Sequence, residues 1–283
     1  MTMDDFEIED DNELFMHTLD TLPENCKKYW SKRYMLFSKF DEGVYMTSEL
    51  WYSVTPEDVA IFVAKLVKEL IPEAEHILDI CCGGGGNSIQ FGKYFKSVGA
   101  IDINKNNLAC TEHNASIYGV KEHLWVYQGD WNEMASTKKS GAVNKSWIPK
   151  SVTHGKSGKP FDLVFTSPPW GGPSYKDQTT FDLSKMEPFS VKAFAKQILQ
   201  YTDNFIMYLP RNSDLDQLRE VTSELMGSKA KCRILYIEQF GYCVALLALF
   251  GEKLTTGDID YKNIFPEDLE EGALVVKTPE ADE

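Results

Sequence analysis

The stretch Thr166-Ser-Pro-Pro-Trp-Gly-Gly-Pro-Ser-Tyr175 combines hydrogen-bond acceptors, a stiff corner and an aromatic ring, groups that could serve an amine carried on a flat ring. It follows Phe161-Asp-Leu-Val-Phe165, an apolar run that reads as a buried strand. Pro168 and Pro169 cannot extend a strand ladder, so they set a rigid corner. There the Ser167 hydroxyl and the Pro168 carbonyl could each accept an N–H from an exocyclic amine, and Trp170 could stack on the base that carries it. Such an amine is a weak nucleophile because its lone pair is delocalised into the ring. Two fixed acceptors would turn that lone pair toward an electrophilic carbon for in-line displacement. No strong base is required, because the nitrogen sheds its proton only after it has become cationic.

A second constellation supplies the electrophile. His76-Ile-Leu-Asp-Ile80 reads as a strand and is followed by Cys-Cys-Gly-Gly-Gly-Gly-Asn and a helix, the layout of a nucleotide site. Around Cys81, glycines such as Gly83 and Gly85 permit a tight turn and close approach of a ligand. The dinucleotide pattern G-x-G-x-x-G fails, because Ser88 or Ile89 stands at the third glycine, and no G-K-[ST] marks a phosphate loop. Three acids end consecutive strands: Asp79, Asp102 after 23 residues, and Asp130. S-adenosyl-L-methionine fits this set, since it has a ribose and an adenine but no pyrophosphate. Asp102 would take the ribose hydroxyls, Asp79 the ammonium and Asp130 the adenine amine, with Ile103 or Trp131 over the adenine ring.

The elements that must position these groups alternate. Seven strands are predicted near 76–80, 97–101, 124–128, 161–166, 204–209, 232–238 and 242–250, with helices between most of them. This pattern predicts an α/β fold with a doubly wound, mostly parallel sheet and a terminal antiparallel hairpin. Residues 25–72 form a helical N-terminal extension. Within it, Trp30, Tyr34 and Phe37 fall on one face of a helix over 24–37, and Thr55-Pro-Glu-Asp58 starts another. The catalytic domain spans 73–253. Residues 135–160 are polar and aperiodic and read as an inserted, solvated surface loop.

The net charge of −14 argues against nucleic-acid binding until its distribution is seen. Residues 1–24 hold nine acids and no Lys or Arg, and 264–283 hold seven acids and one Lys. The segment between is near neutral, with 27 acids against 28 bases. Residues 1–24 and 254–283 therefore read as acidic, solvated tails, open to basic protein partners. The six cysteines form no CxxC and no zinc spacing, so reduced thiols and no metal are expected. The sequence lacks an 18-residue apolar run and a signal-like N-terminus, so neither a membrane span nor secretion is expected.

Four motifs in order extend this reading. Lys28-Tyr-Trp-Ser-Lys-Arg-Tyr-Met-Leu-Phe37 and its continuation, Trp51-Tyr-Ser-Val-Thr-Pro56, Ser167-Pro-Pro-Trp-Gly-Gly-Pro-Ser-Tyr175 and Phe205-Ile-Met-Tyr-Leu-Pro-Arg-Asn-Ser-Asp214 together resemble the trimethylguanosine synthases in their short, fungal form. The resemblance covers about residues 27 to 250. It implies a class I, Rossmann-like methyltransferase that adds methyl groups to the N2 amine of the 7-methylguanosine cap of small nuclear and nucleolar RNAs. A nuclear, nucleolar location is implied with it. By the same resemblance, Trp170 and Phe37 would sandwich the methylated guanine, and Ser167, Pro168 and Pro169 would hold its amine beside Asn114. Lys28 and Arg211, with Lys32 and Arg33 nearby, would meet the triphosphate. Ser53, Thr55, Asp79 and Asp102 would contact the cofactor. A cationic base between two aromatic rings gains cation–π attraction that plain guanine lacks. Two rival readings share parts of the pattern: an adenine-N6 methyltransferase of DNA or RNA, and a cap-binding protein without catalysis.

Overall fold

The computed structural model describes residues 15–136, 142–152, 158–171, 175, 178–267, 269–270 and 272–279. The strands are β1 His76–Ile80, β2 Ser97–Asp102, β3 Leu124–Gln128, β4 Leu163–Thr166, β5 Phe205–Leu209, β6 Cys232–Gln239, β7 Tyr242–Phe250 and β8 Val275–Lys277. The helices are α1 Arg33–Leu36, α2 Leu50–Ser53, α3 Glu57–Leu70, α4 Gly86–Gly92, α5 Lys105–Ile117, α6 Trp131–Met134, α7 Val191–Ile198, α8 Leu215–Met226 and α9 Glu252–Thr255.

Alternation along each strand sends side chains to two cores. Leu78, Ile80, Val164, Phe205 and Met207 face the layer of α7 and α8. Ile77, Leu163, Phe165, Ile206 and Leu247 face Val59, Phe62, Val63 and Leu66 of α3. Each fully buried side chain of this kind contributes about 1.5–3 kcal/mol of apolar transfer. The strand order is β3-β2-β1-β4-β5-β7-β6-β8. The first five strands run parallel, and β7 is antiparallel to β5 and β6. The order reverses between β1 and β4, so the loops leaving their C-terminal ends flank a crevice. Among the described residues, no helix is long and apolar enough to cross a membrane.

Four expectations are corrected. The sheet has eight strands, because β8 emerges within the predicted C-terminal tail and pairs with β6 through Tyr236–Lys277. Ile264 and Leu274 of that segment are buried. The described end of the N-terminal tail also packs, through Leu22 and His17. Residues 1–14 lie outside the described residues. The segment 142–152 is not simply solvated: Trp147 is 5% exposed and stacks on Phe161 at 6.1 Å. Finally, the predicted helix over 24–37 divides into a 3-10 stretch, Lys27–Lys32, and the single turn α1. It stops because Phe37 is extended and the next N–H, of Ser38, donates to the Glu57 carboxylate.

Candidate active site

The glycine loop is held from three sides. At the end of β1, Cys81 takes a left-handed φ of 62°, rare for a side-chain residue, and swings the chain toward β2. The Cys82 N–H donates to the Ile101 carbonyl at 3.0 Å, and the Gly83 N–H to Asp102 Oδ2 at 2.9 Å. From α5, the Thr111 hydroxyl donates to the Gly83 carbonyl at 2.7 Å and Asn114 Nδ2 to the Gly84 carbonyl at 3.0 Å. Packing is close enough to require glycine at Gly85, where φ is 84° and a Cβ would stand 3.0 Å from Thr111 Cγ2. Asn114 also donates to the Tyr45 carbonyl and accepts from the Tyr45 N–H, so it clamps the loop to the N-terminal extension. It is completely buried. The structure therefore makes it a positioning residue beneath the loop rather than a substrate contact, because its amide is spent on backbone partners.

The acids differ in environment. Asp79 is 1% exposed and accepts from the Ser88 hydroxyl at 2.5 Å. Burial pushes its carboxyl up to about 7, opposed by the Ser88 hydrogen bond and increased by the charge of Asp102. Asp102 also sits above the usual carboxylate range because of burial, although the Asn104 and Gly83 N–H groups and Asn107 oppose the shift. Asp130 is half-buried and caps α6 by accepting from the Asn132 N–H at 2.8 Å. Ile103 is 66% exposed beside Asp102. Trp131 is 3% exposed, ringed by Trp147, Phe194 and Tyr201. Trp131 is a core residue, and of the two side chains expected over the adenine only Ile103 is exposed. Thr55 is buried and accepts from Asn87, while Ser53 is exposed at the end of α2 with its hydroxyl on the Glu49 carbonyl.

The Pro-Pro corner is tied to the same loop. Ile80 pairs with Thr166 in the parallel ladder, and the Thr166 hydroxyl donates to the Ile80 carbonyl at 2.9 Å. Ser167 then lies half-buried, Pro168 buried and Pro169 exposed. Trp170 is not the free-standing tip its sequence suggests. Its Nε1–H donates to the Tyr208 carbonyl at 3.2 Å, Tyr175 packs edge-on at 5.2 Å, and Tyr208 lies 5.6 Å away. Residues 172–174 lie outside the described residues.

The expected second wall is absent from this arrangement. Phe37 is 2% exposed and packs against Tyr118 at 6.2 Å, inside the core that joins the extension to α4 and α5. Its extended backbone turns it inward, so no sandwich with Trp170 is formed. Lys28, Lys32 and Arg211 are exposed. Lys28 lies over the Tyr29 ring at 5.1 Å and Arg33 over the Trp30 and Tyr34 rings at 4.8 and 4.2 Å. Arg211 donates to the Cys243 carbonyl at 3.0 Å. Thr111, Thr166, Tyr175 and Tyr208 escaped the sequence reading. Thr166, Tyr175 and Tyr208 stood in the quoted motifs without being given a role, and Thr111 carries no local signal.

S-adenosyl-L-methionine fits these residues. Asp79 and Asp102 are buried carboxyl groups whose leading influences are burial and neutral hydrogen-bond donors, Ser88 for Asp79 and Asn104, Gly83 and Asn107 for Asp102. Neutral hydrogen bonds offset burial of the ionised forms only in part, so a ligand that brings positive charge and hydroxyl donors suits the site.

Comparison with known proteins converges with this geometry. The profile of the RNA cap guanine-N2 methyltransferases matches residues 74–253. The trimethylguanosine synthase of Saccharomyces cerevisiae is 41% identical over 227 residues, covering 80% of this chain and 67% of that protein. That of Schizosaccharomyces pombe is 37% identical over 236 residues, covering 82% and 88%. A solved structure from Porphyromonas gingivalis W83, assigned as a methyltransferase, has TM-score 0.58 at 14% identity over 93% of this chain and 61% of its own, which speaks for the fold alone. With the profile running from β1 through the terminal hairpin, this chain belongs to the RNA cap guanine-N2 methyltransferase family and is an S-adenosyl-L-methionine-dependent enzyme.

Proposed function

We propose that the acceptor is the 7-methylguanosine cap and the product 2,2,7-trimethylguanosine, made on small nuclear and small nucleolar RNAs. The carrying observation is the Thr166–Ile80 hydrogen bond, which fastens the Ser167-Pro168-Pro169-Trp170 corner to the strand bearing Asp79. When bound, S-adenosyl-L-methionine supplies an electrophilic methyl group. Asp102 would hold its ribose, Asp79 its ammonium group, and Ile103 would cover its adenine. On the substrate side, Trp170 stacks on the base, and a cationic 7-methylguanine gains attraction there that guanine lacks. The Ser167 hydroxyl and the Pro168 carbonyl accept the two N–H bonds of the N2 amine and turn its lone pair toward the methyl group. The ammonium product loses its proton to solvent, so no base of raised strength is needed.

The two yeast relatives carry the name of this activity and support the reading. The resemblance of the N-terminal and Pro-Pro motifs supports the RNA classes and a nuclear, nucleolar location. The acid-rich segments 1–24 and 264–283 suit basic protein partners. The test uses labelled methyl donor with 7-methyl-GTP, GTP, an adenine-bearing oligonucleotide or no acceptor, and mass spectrometry of the products. Transfer of two methyls to 7-methyl-GTP and none to GTP is the expected result. Equal transfer to GTP, or transfer to adenine alone, would overturn it.

A further inference from the structure

The β6–β7 hairpin extends beyond the sheet at the end where the crevice opens. The last β5 residue in the ladder, Leu209, pairs with Leu246 of β7. Residues 242–245 therefore continue past β5, a ribbon of roughly 13 Å on the side where β1 and β4 also end. At its tip Gln239 pairs with Tyr242, and the two residues between form a tight turn with left-handed φ values, 50° at Phe240 and 79° at Gly241. Such turns favour Asn, Asp or Gly at their first place, and a phenylalanine there is strained. The strain brings no burial in return. Phe240 is 54% exposed and Tyr242 is 73% exposed.

The base of this ribbon adjoins the site. Arg211 holds the Cys243 carbonyl, one residue from Tyr242. Tyr208, whose carbonyl orients Trp170, pairs with Leu247 of the same strand. The one acid in β6 and β7, Glu238, is paired with Lys277 at 2.8 Å, so the ribbon offers no uncompensated negative charge to a polyanion. Exposed aromatic rings beside a cation are the elements of a single-strand stacking surface.

We propose that Phe240 and Tyr242, with Arg211 at their base, form a stacking platform for the first unpaired nucleotides that follow the cap triphosphate. The inference rests on the cap reading above and on the resemblance by which Arg211 would meet the triphosphate. The platform grips RNA beyond the cap and separates a capped transcript from a free cap nucleotide. It is indifferent to base identity, since every base presents a face for stacking.

The experiment compares methylation of 7-methyl-GTP with that of a capped, single-stranded decaribonucleotide, using the full chain and a Phe240→Gly/Tyr242→Ser variant. Glycine suits the turn, so the hairpin is retained. The intact protein is expected to show a KM about tenfold lower for the oligonucleotide, the size of one good base stack. The variant should lose that advantage while its KM for 7-methyl-GTP stays within about twofold. An advantage absent from the intact protein, surviving in the variant, or lost together with turnover of 7-methyl-GTP overturns the platform. A direct binding measurement separates it from the cap reading. Quenching of the added fluorescence of a Phe240→Trp variant by the uncapped oligonucleotide supports the platform even if no cap is methylated, and no quenching overturns it.

Discussion

The cofactor half and the cap half of the crevice are built differently. In the first, backbone and side chains are already joined: the Gly83 and Gly84 carbonyls to Thr111 and Asn114, the Gly83 N–H to Asp102, and Asp102 to Asn104 and Asn107. In the second, Lys28, Lys32 and Arg211 are exposed long side chains, and Trp170 is oriented by one hydrogen bond and two aromatic neighbours. A preformed network binds without ordering cost, whereas exposed lysines and arginines surrender side-chain entropy when the triphosphate arrives. The difference implies that cofactor affinity depends on buried geometry and cap affinity on a few contacts near Trp170.

Trp170→Ala breaks the cap half with the largest expected effect. It removes the cation–π face and the orientation of the amine together, and kcat/KM for 7-methyl-GTP should fall by about a thousandfold. Cofactor affinity by calorimetry should be unchanged, because the hydrogen bond and ring contacts of Trp170 go to Tyr208 and Tyr175 and not to Asp79 or Asp102. Activity above one tenth of the intact protein's would deny the ring its role. Asp102→Ala is the matching break in the other half. It deletes the proposed acceptor for the ribose and frees the Gly83 N–H, and cofactor affinity should fall by about a hundredfold, two hydrogen bonds to a charged group. Cap binding, measured by quenching with 7-methyl-GTP, should be retained. An unchanged cofactor affinity would show that the loop does not depend on Asp102.

The two halves were also unequally legible in the sequence. The β-α alternation, the Gly loop and the acids at β1 and β2 follow from period and composition, because they are local. Asp130 and Trp131 looked like Asp102 and Ile103 at the end of the preceding strand. What separates them is burial under Trp147, and that residue comes from a segment whose polarity concealed it. Phe37 misled for a related reason: the helical periodicity of 24–37 is real, but a Glu57 carboxylate 20 residues downstream stops the helix and turns the ring inward. β8 was hidden by the surrounding acids, although Leu274 and Val276 pack on the sheet.

Asp79 sharpens the comparison through pH. Its folded carboxyl titrates near 7, above the ordinary 3.8, because it is buried. The cationic cofactor favours the ionised form, so cofactor affinity should rise with pH through 7, by up to about tenfold per pH unit below it. Asp79→Asn should flatten that dependence, and a slope that survives would assign it to another group. The sign for stability is opposite. The folded state keeps a proton that the unfolded chain has lost, so the stabilisation is full below about pH 4 and fades as pH rises to 7. The Asn variant should therefore gain stability relative to the intact protein in thermal melts at pH 8.

The smallest expected effect is the most discriminating test of the cap half. Phe37 occupies core volume against Tyr118, in a cluster other than those Trp170 packs on. Phe37→Leu keeps most of that apolar volume, so unfolding free energy should drop by about 1 kcal/mol. The KM for 7-methyl-GTP should stay within about twofold, since a buried ring contributes no stacking. The reverse pattern, an unchanged Tm with a tenfold higher KM, would mean that the ring leaves the core when the cap binds. The aromatic sandwich would then form only in the complex, and the cap half would be assembled by its ligand, while the cofactor half waits already built.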